Sequence, residues 1–126
     1  MIIGLGIDIV DTTRVDSLLR KFGDHFLNKI YTPSEIQFCR SRVDMSNSLA
    51  KMFAIKEAAI KALSDAKGIR WHDIEIHHDC YGKPLLGLSG VALKNISSKS
   101  KAYSINVSVS DEKKYAAAVV VIETNE

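Results

Sequence analysis

The spacing of apolar residues along the chain switches between a helical and a strand period, and the switches predict its elements. Ile2 to Val10 is an almost unbroken apolar run with the length of a buried strand. Asp11 or Thr12 then supplies an N-cap for a helix in which Val15, Leu18, Leu19 and Phe22 recur at helical spacing, and Gly23 is a natural stop. The polar face of that helix carries Arg14, Arg20 and Lys21. Thr32-Pro33-Ser34-Glu35 reads as a capping box with proline at the first helical position, opening a short helix to about Arg42. A longer helix runs from about Asn47 to Ser64 and gives way to the loop Asp65-Ala66-Lys67-Gly68.

Beyond that loop the period is mostly two. Asp73 to His78 alternates around Ile74 and Ile76, and Tyr81-Gly82-Lys83-Pro84 turns the chain into Leu85 to Leu88. A short helix spans Val91 to Ile96, and Ala102 to Ser110 and Tyr115 to Ile122 form a hairpin around Asp111-Glu112-Lys113-Lys114. The order β-α-α-α, then β-β-α-β-β, is that of an α+β fold rather than of alternating βαβ units. The expected architecture is one domain over residues 1–126, with a small antiparallel sheet packed on a long central helix.

Composition narrows the function. A chain of 126 residues buries a core without disulfide or metal staples, and 46% hydrophobic with 25% charged residues is an ordinary globular balance that excludes disorder. A formal net charge of +2 is too mild to point to nucleic acid as the main partner. No run approaches the ~20 apolar residues of a membrane span, so no membrane partner is expected. The opening MIIGLGIDIV lacks a basic leading region and carries Asp8, so it does not read as a signal peptide. Cys39 and Cys80 have no metal-ligand spacing and suggest free thiols in a reducing compartment, with the cytoplasm as the expected location.

Two anomalies carry candidate chemistry. In LAKMFAIKEAAIKALS, from Leu49 to Ser64, an apolar stripe of Leu49, Met52, Phe53, Ile60 and Leu63 is interrupted by Lys56, while Glu57 and Lys61 stack one turn apart. Charges on a helix this apolar are paired or face a ligand; a Glu57–Lys61 ion pair is the simpler of those two readings. On the first strand, Asp8 shares a face with Gly4 and Gly6, while Leu5, Ile7 and Ile9 point the other way. A carboxylate there needs a cation or a set of donors, such as backbone N–H groups of the next turn. Taken together, Asp8 and Glu57 suit a divalent cation, since Mg²⁺ takes one or two carboxylates plus substrate phosphates, and Lys61 would meet a phosphate oxygen. Spacing alone reaches no further than a metal-phosphate site.

At these residues the sequence resembles the holo-acyl-carrier-protein synthases of the phosphopantetheinyl transferase superfamily. The resemblance rests on Gly6-Ile7-Asp8-Ile9-Val10-Asp11 with Arg14, and on Phe53-Ala54-Ile55-Lys56-Glu57-Ala58-Ala59-Ile60-Lys61-Ala62. Supporting pieces are Asp73-Ile74-Glu75-Ile76, Gly82-Lys83-Pro84 and Ser108-Val109-Ser110-Asp111-Glu112, in family order across nearly the whole chain. The resemblance implies transfer of 4′-phosphopantetheine from coenzyme A to a serine of apo-acyl carrier protein, in support of fatty acid biosynthesis, with release of adenosine 3′,5′-bisphosphate. It implies Asp8 and Glu57 as Mg²⁺ ligands and Lys61 as the contact to the coenzyme A pyrophosphate. Lys56, Lys83, Pro84 and Lys67 are its further candidates for binding the coenzyme, with a structural role as the other reading of Lys56. Arg14, with Arg20 and Lys21, would dock the acidic carrier protein, and a homotrimer would hold the sites between subunits.

The chain departs from the family pattern at three places. Asp111 stands where many members have histidine, so no histidine relay is carried over. Met52 stands where an arginine often precedes the motif phenylalanine, so a phosphate contact is lost or passes to Lys51. Ser64-Asp65-Ala66-Lys67-Gly68 replaces a Gly-Thr-Gly loop. Two other readings remain open on sequence: a ribonuclease-H-like nuclease with Asp8, Glu57 and Asp111 as metal carboxylates, and a binding module that has lost catalysis. His72, His77 and His78 do not have metal-site spacing, because His77 and His78 point to opposite faces of a strand. Trp71 and Tyr81 read as core or turn aromatics.

Overall fold

A computed structural model describes residues Met1–Glu126. The first strand, β1 (Ile2–Asp11), leads into helices α1 (Thr12–Phe22), α2 (Asp24–Ile30), α3 (Pro33–Arg40) and α4 (Met45–Leu63). A short 3₁₀ turn at Trp71–Asp73 precedes β2 (Ile74–His78) and β3 (Pro84–Leu88); α5 (Gly90–Lys99), β4 (Tyr103–Asp111) and β5 (Tyr115–Thr124) complete the chain. The sheet of order β1-β5-β4 is antiparallel throughout, and β2 and β3 form a separate two-stranded ribbon. No helix is long and apolar enough to cross a membrane.

The capping residues act as the sequence suggests. The Asp11 carboxylate accepts the Thr13 N–H at 2.9 Å, and the Thr32–Glu35 box closes with the Thr32 N–H donating to Glu35 Oε1 at 2.8 Å. Asp44 caps α4 by accepting the Asn47 N–H at 3.0 Å, which starts that helix two residues earlier than expected. Helix α2 is not in the predicted order. Gly23, at φ 53° and ψ −129°, ends α1 and at once serves as the N-cap of α2. The stop signal is real, but the chain bends and resumes, burying Phe26, Leu27 and Ile30 at helical spacing.

Strand β1 is buried on one face only, which corrects the expectation of a buried strand. Its inner face lies on α4. Its outer face leaves Leu5, Ile7 and Ile9 between 64% and 68% exposed, paired in register with Val121, Val119 and Ala117 of β5. Period-two alternation in a strand covered on a single side by one helix produces this division.

The inner face fixes the site. A Cβ added at Gly6 would press into the Ala58 carbonyl group and come within 2.9 Å of the Ala62 nitrogen, and one at Gly4 would strike the Ala62 carbonyl oxygen. Glycine on the strand and alanine on the helix therefore let two backbones touch. Two residues along the same face is Asp8. Gly6→Ala is expected to destabilise the protein by about 1–3 kcal/mol in urea unfolding, since helix backbone cannot yield as a side chain does. Gly87→Ala is the control: a Cβ there meets only Glu75 O at 4.0 Å and should cost far less. Equal effects at the two positions would remove the close-approach argument.

Candidate active site

Asp8 projects from β1 toward the C-terminal half of α4. Lys61 donates to Asp8 Oδ1 at 3.1 Å and to the Ile7 carbonyl at 2.9 Å, so the ammonium spans the strand backbone and the carboxylate. The Asp8 side chain is only 16% exposed, and that ammonium is its ionic partner. Neither simpler reading holds: Lys61 pairs with Asp8 rather than with Glu57, and Asp8 is bound by a lysine rather than by N–H groups of the next turn.

Glu57 stands one turn before Lys61 on the same side of α4. Burial, and next the charge of Asp8, push its carboxyl above the ordinary range, against the opposing pull of Lys61 and Arg14. Two carboxylates that repel one another, beside a lysine and with Arg14 close by, form a donor set suited to a hard divalent cation that keeps positions open for phosphate oxygens. The residues present therefore fit Mg²⁺, which Asp8 and Glu57 would hold.

Lys56 corrects the expectation that it binds the coenzyme. Its side chain is fully buried, and its ammonium is 2.8 Å from Glu35 Oε1, 3.0 Å from the Trp71 carbonyl and 2.7 Å from that of Ile74. Burial pushes this ammonium below its ordinary value and Glu35 opposes the shift. With its three N–H donors taken by these acceptors it has none to spare for a ligand. Nothing in the spacing of the sequence identified Glu35 as its partner.

The other candidates spread over the surface. Arg14 is exposed; Arg20 is tied to Asp16 at 2.8 Å; Lys21 lies over the Phe22 ring at 5.4 Å. Beside them an apolar groove of about 430 Å³ is lined by Leu18, Phe22, Phe26, Ile30, Phe53 and Trp71, with His25 and Lys29 also on its wall. The sequence hid this groove, because its α2 wall was not predicted and Trp71 read as a core residue. A second cavity, of about 500 Å³, takes in Arg42, Lys51, His78, Tyr81 and Pro84 along with Met52 and Ile55. The His78 ring stacks on Phe38 with centroids 4.0 Å apart, while His77 pairs with Glu75 on the opposite face. Asp111 reaches back toward α4, accepting from Asn47 at 3.1 Å and standing 3.8 Å from Lys51. Lys83 follows Tyr81 and Gly82 in the turn beside this cavity, and its N–H donates to Asp79. Lys67 lies in an exposed loop past the other end of α4.

Helix residues Ser48, Lys51, Met52 and Ile55 face the second cavity, and they lie about 150° around α4 from Glu57 and Lys61. The carboxylate pair and the cationic cavity of one chain thus sit on opposite sides of one helix.

Glu57 makes the site visible in stability. Folding raises its pKa, so its contribution is present below the ordinary carboxylate range and is lost as pH rises through the folded value. Glu57→Gln is therefore expected to raise Tm at about pH 7 and to leave it unchanged near about pH 3, where both proteins are uncharged at this position. A lower Tm at neutral pH would mean that the carboxylate is held by favourable contacts instead.

The model of the family described as the 4′-phosphopantetheinyl transferase superfamily matches residues 4–120. The chain is 44% identical over 125 residues to the holo-[acyl-carrier-protein] synthase of Vibrio cholerae, covering 98% of each, and 38% identical to that of Koribacter versatilis over 98% of this chain and 99% of the relative. Among solved structures it is similar to the holo-ACP-synthase of Plasmodium yoelii, at TM-score 0.85 and 31% identity, covering 100% of this chain and 98% of that one. It is also similar to the Helicobacter pylori holo-[acyl-carrier-protein] synthase in complex with coenzyme A, at TM-score 0.82 and 34% identity over 94% and 99% of the two chains. A helix follows β1 where a ribonuclease-H-like fold would place a hairpin, in agreement with these matches. With its whole length matched and its two charged motifs brought face to face, this chain belongs to the 4′-phosphopantetheinyl transferase superfamily.

Proposed function

We propose that this protein is a holo-acyl-carrier-protein synthase that transfers 4′-phosphopantetheine from coenzyme A to a serine hydroxyl of apo-acyl carrier protein, in support of fatty acid biosynthesis. The observation that carries this reading is the meeting of Asp8 with Glu57 and Lys61 across the β1–α4 contact, in a chain matched end to end by synthases of that name. The serine oxygen forms the new bond to phosphorus, the bond to the 3′,5′-ADP oxygen breaks and releases 3′,5′-ADP with that oxygen, and the serine proton passes to solvent water. Mg²⁺, when bound, neutralises charge on the pyrophosphate. Asp8 and Glu57 are its proposed ligands. Lys61 is placed to donate to a pyrophosphate oxygen brought up to them, and holding that oxygen steadies the charge that grows on the leaving group.

The cavity bearing Arg42, Lys51, His78, Tyr81 and Pro84 is the proposed seat of the coenzyme's nucleotide, with Lys83 in its turn and Lys51 replacing the phosphate contact that Met52 does not make. Within one chain α4 stands between that cavity and Glu57. A site shared between subunits would bring the two together, and the exposed Leu5, Ile7 and Ile9 support a homotrimer that covers them. The apolar groove beside Arg14 and Lys21 is the proposed dock for the carrier protein: acidic groups meet the basic residues, an apolar side chain enters the groove, and Phe53 leads one turn along α4 to Glu57. One contiguous core supports a single working domain over residues 1–126, and free thiols at Cys39 and Cys80 support a cytoplasmic setting.

Apo-carrier protein incubated with coenzyme A and Mg²⁺ should gain the mass of one phosphopantetheine on its serine. Asp8→Ala should abolish most of that gain while remaining folded, and Lys61→Ala should lose about 2–4 kcal/mol of transition-state stabilisation. A wild-type rate in Lys61→Ala removes its phosphate role, and no adduct from the wild type leaves a binding module.

Two further outcomes test the surfaces. Arg14→Glu should raise KM for the carrier protein far more than for coenzyme A, with the wild-type preference weakening as salt rises. Equal loss of coenzyme binding would move Arg14 into the reacting site. Sedimentation should give three times the chain mass, and mixing Asp8→Ala with Lys51→Glu chains should restore some activity; an active monomer would exclude shared sites.

A further inference from the structure

The Glu35–Lys56 pair lies outside the reacting groups, and the proposed transfer makes no use of it. Both side chains are fully buried. Glu35 Oε1 accepts the Thr32 N–H at 2.8 Å and faces Lys56, while Oε2 accepts the Ile76 N–H at 2.7 Å. Buried pairs of this kind add little stability over apolar side chains of the same volume, and their best-attested use is to fix register. On the β1 side, α4 is held along a seam by Ala58 and Ala62 packed directly on Gly4 and Gly6 and by the Lys61 bonds to Asp8 and the Ile7 carbonyl.

Lys56 projects about 140° around α4 from that seam. Its three acceptors come from α3, from the 3₁₀ turn and from the start of β2, so it pins the helix from the opposite side. A slide of one residue, about 1.5 Å with a 100° turn, would break all three contacts and carry Glu57 and Lys61 away from Asp8. We infer that Glu35, acting through Lys56, is a positioning residue that sets the phase of α4 and thereby holds Glu57 and Lys61 opposite Asp8. The inference rests on the proposed function only in what it expects of turnover.

The test replaces the pair with apolar residues of similar size, Glu35→Leu with Lys56→Met. This variant is expected to fold but to melt lower than wild type, because the Thr32 and Ile76 N–H groups and the Trp71 and Ile74 carbonyls lose their partners, to lose the nuclear Overhauser contacts between the Lys61 side chain and Asp8, and to show kcat about 10–100-fold lower with little change in KM for either substrate. Lys56→Met alone is expected to melt lower still, because it leaves the buried Glu35 carboxylate without its counter-ion, while Glu35 keeps its Thr32 and Ile76 donors; its Lys61–Asp8 contacts and kcat are read in the same way. Retention of the Lys61–Asp8 contacts in a folded variant overturns the inference whatever the rate. If neither variant folds, the pair is a stability element and the inference falls. Full activity of Asp8→Ala would instead remove the proposed function, and the contacts measured without substrate or metal would still decide the positioning.

Discussion

The close approach of β1 to α4 is the constraint from which the rest of the structure follows. A strand meets a helix backbone to backbone because Gly4 and Gly6 offer no Cβ and the helix answers with alanine. Any larger pair of residues would move the sheet outward and separate Asp8 from Glu57 and Lys61. The same contact decides which sheet face is dry. Ala116, Ala118, Val120 and Ile122 of β5 follow β1 onto the helix and are buried, and the alternate positions look outward. One seam thus produces both the acidic pair on the inside and the apolar patch on the outside.

Neighbouring residues on α4 meet opposite electrostatic conditions. Lys56 is sealed and saturated with acceptors, whereas Glu57 is half-buried beside a like charge, and both conditions raise its pKa. Burial of charge is tolerated in the first case by complete pairing. In the second it persists without a matching partner within the chain, the condition in which binding and catalytic groups are found. The difference arises from geometry alone, since a step of one residue turns a helix by about 100° and exchanges α3 and β2 for the mouth of the β1 seam.

Much of this was legible in the sequence, for reasons that can be named. Alternation placed Asp8 beside the glycines because a strand's period is fixed, and Glu57 beside Lys61 because a helix's is. The capping box at Thr32 forms as its spacing implied. What escaped detection depended on contacts between distant parts of the chain. Glu35 was readable as a capping residue but not as the partner of Lys56, because both roles use one carboxyl group and only the fold brings the lysine to it. Helix α2 was masked by Gly23, a genuine stop that does not forbid an immediate restart. The exposure of Leu5, Ile7 and Ile9 was hidden because a continuous apolar run looks the same whether one face is covered or two. The groove and the cationic cavity, each assembled from several elements, left no local pattern at all.

Lys61 gives the resting protein a counter-ion that cannot diffuse away. Its ammonium is tethered through the side chain to the same helix turn that carries Glu57, and it occupies Asp8 and the Ile7 carbonyl together. A cation binding at Asp8, as proposed, would therefore exchange with this ammonium rather than add to it, and would leave its charge free for an incoming anion. If Asp8 takes the proposed cation and the freed ammonium the proposed phosphate, the two would be thermodynamically linked through a single lysine, each held more firmly when the other is present.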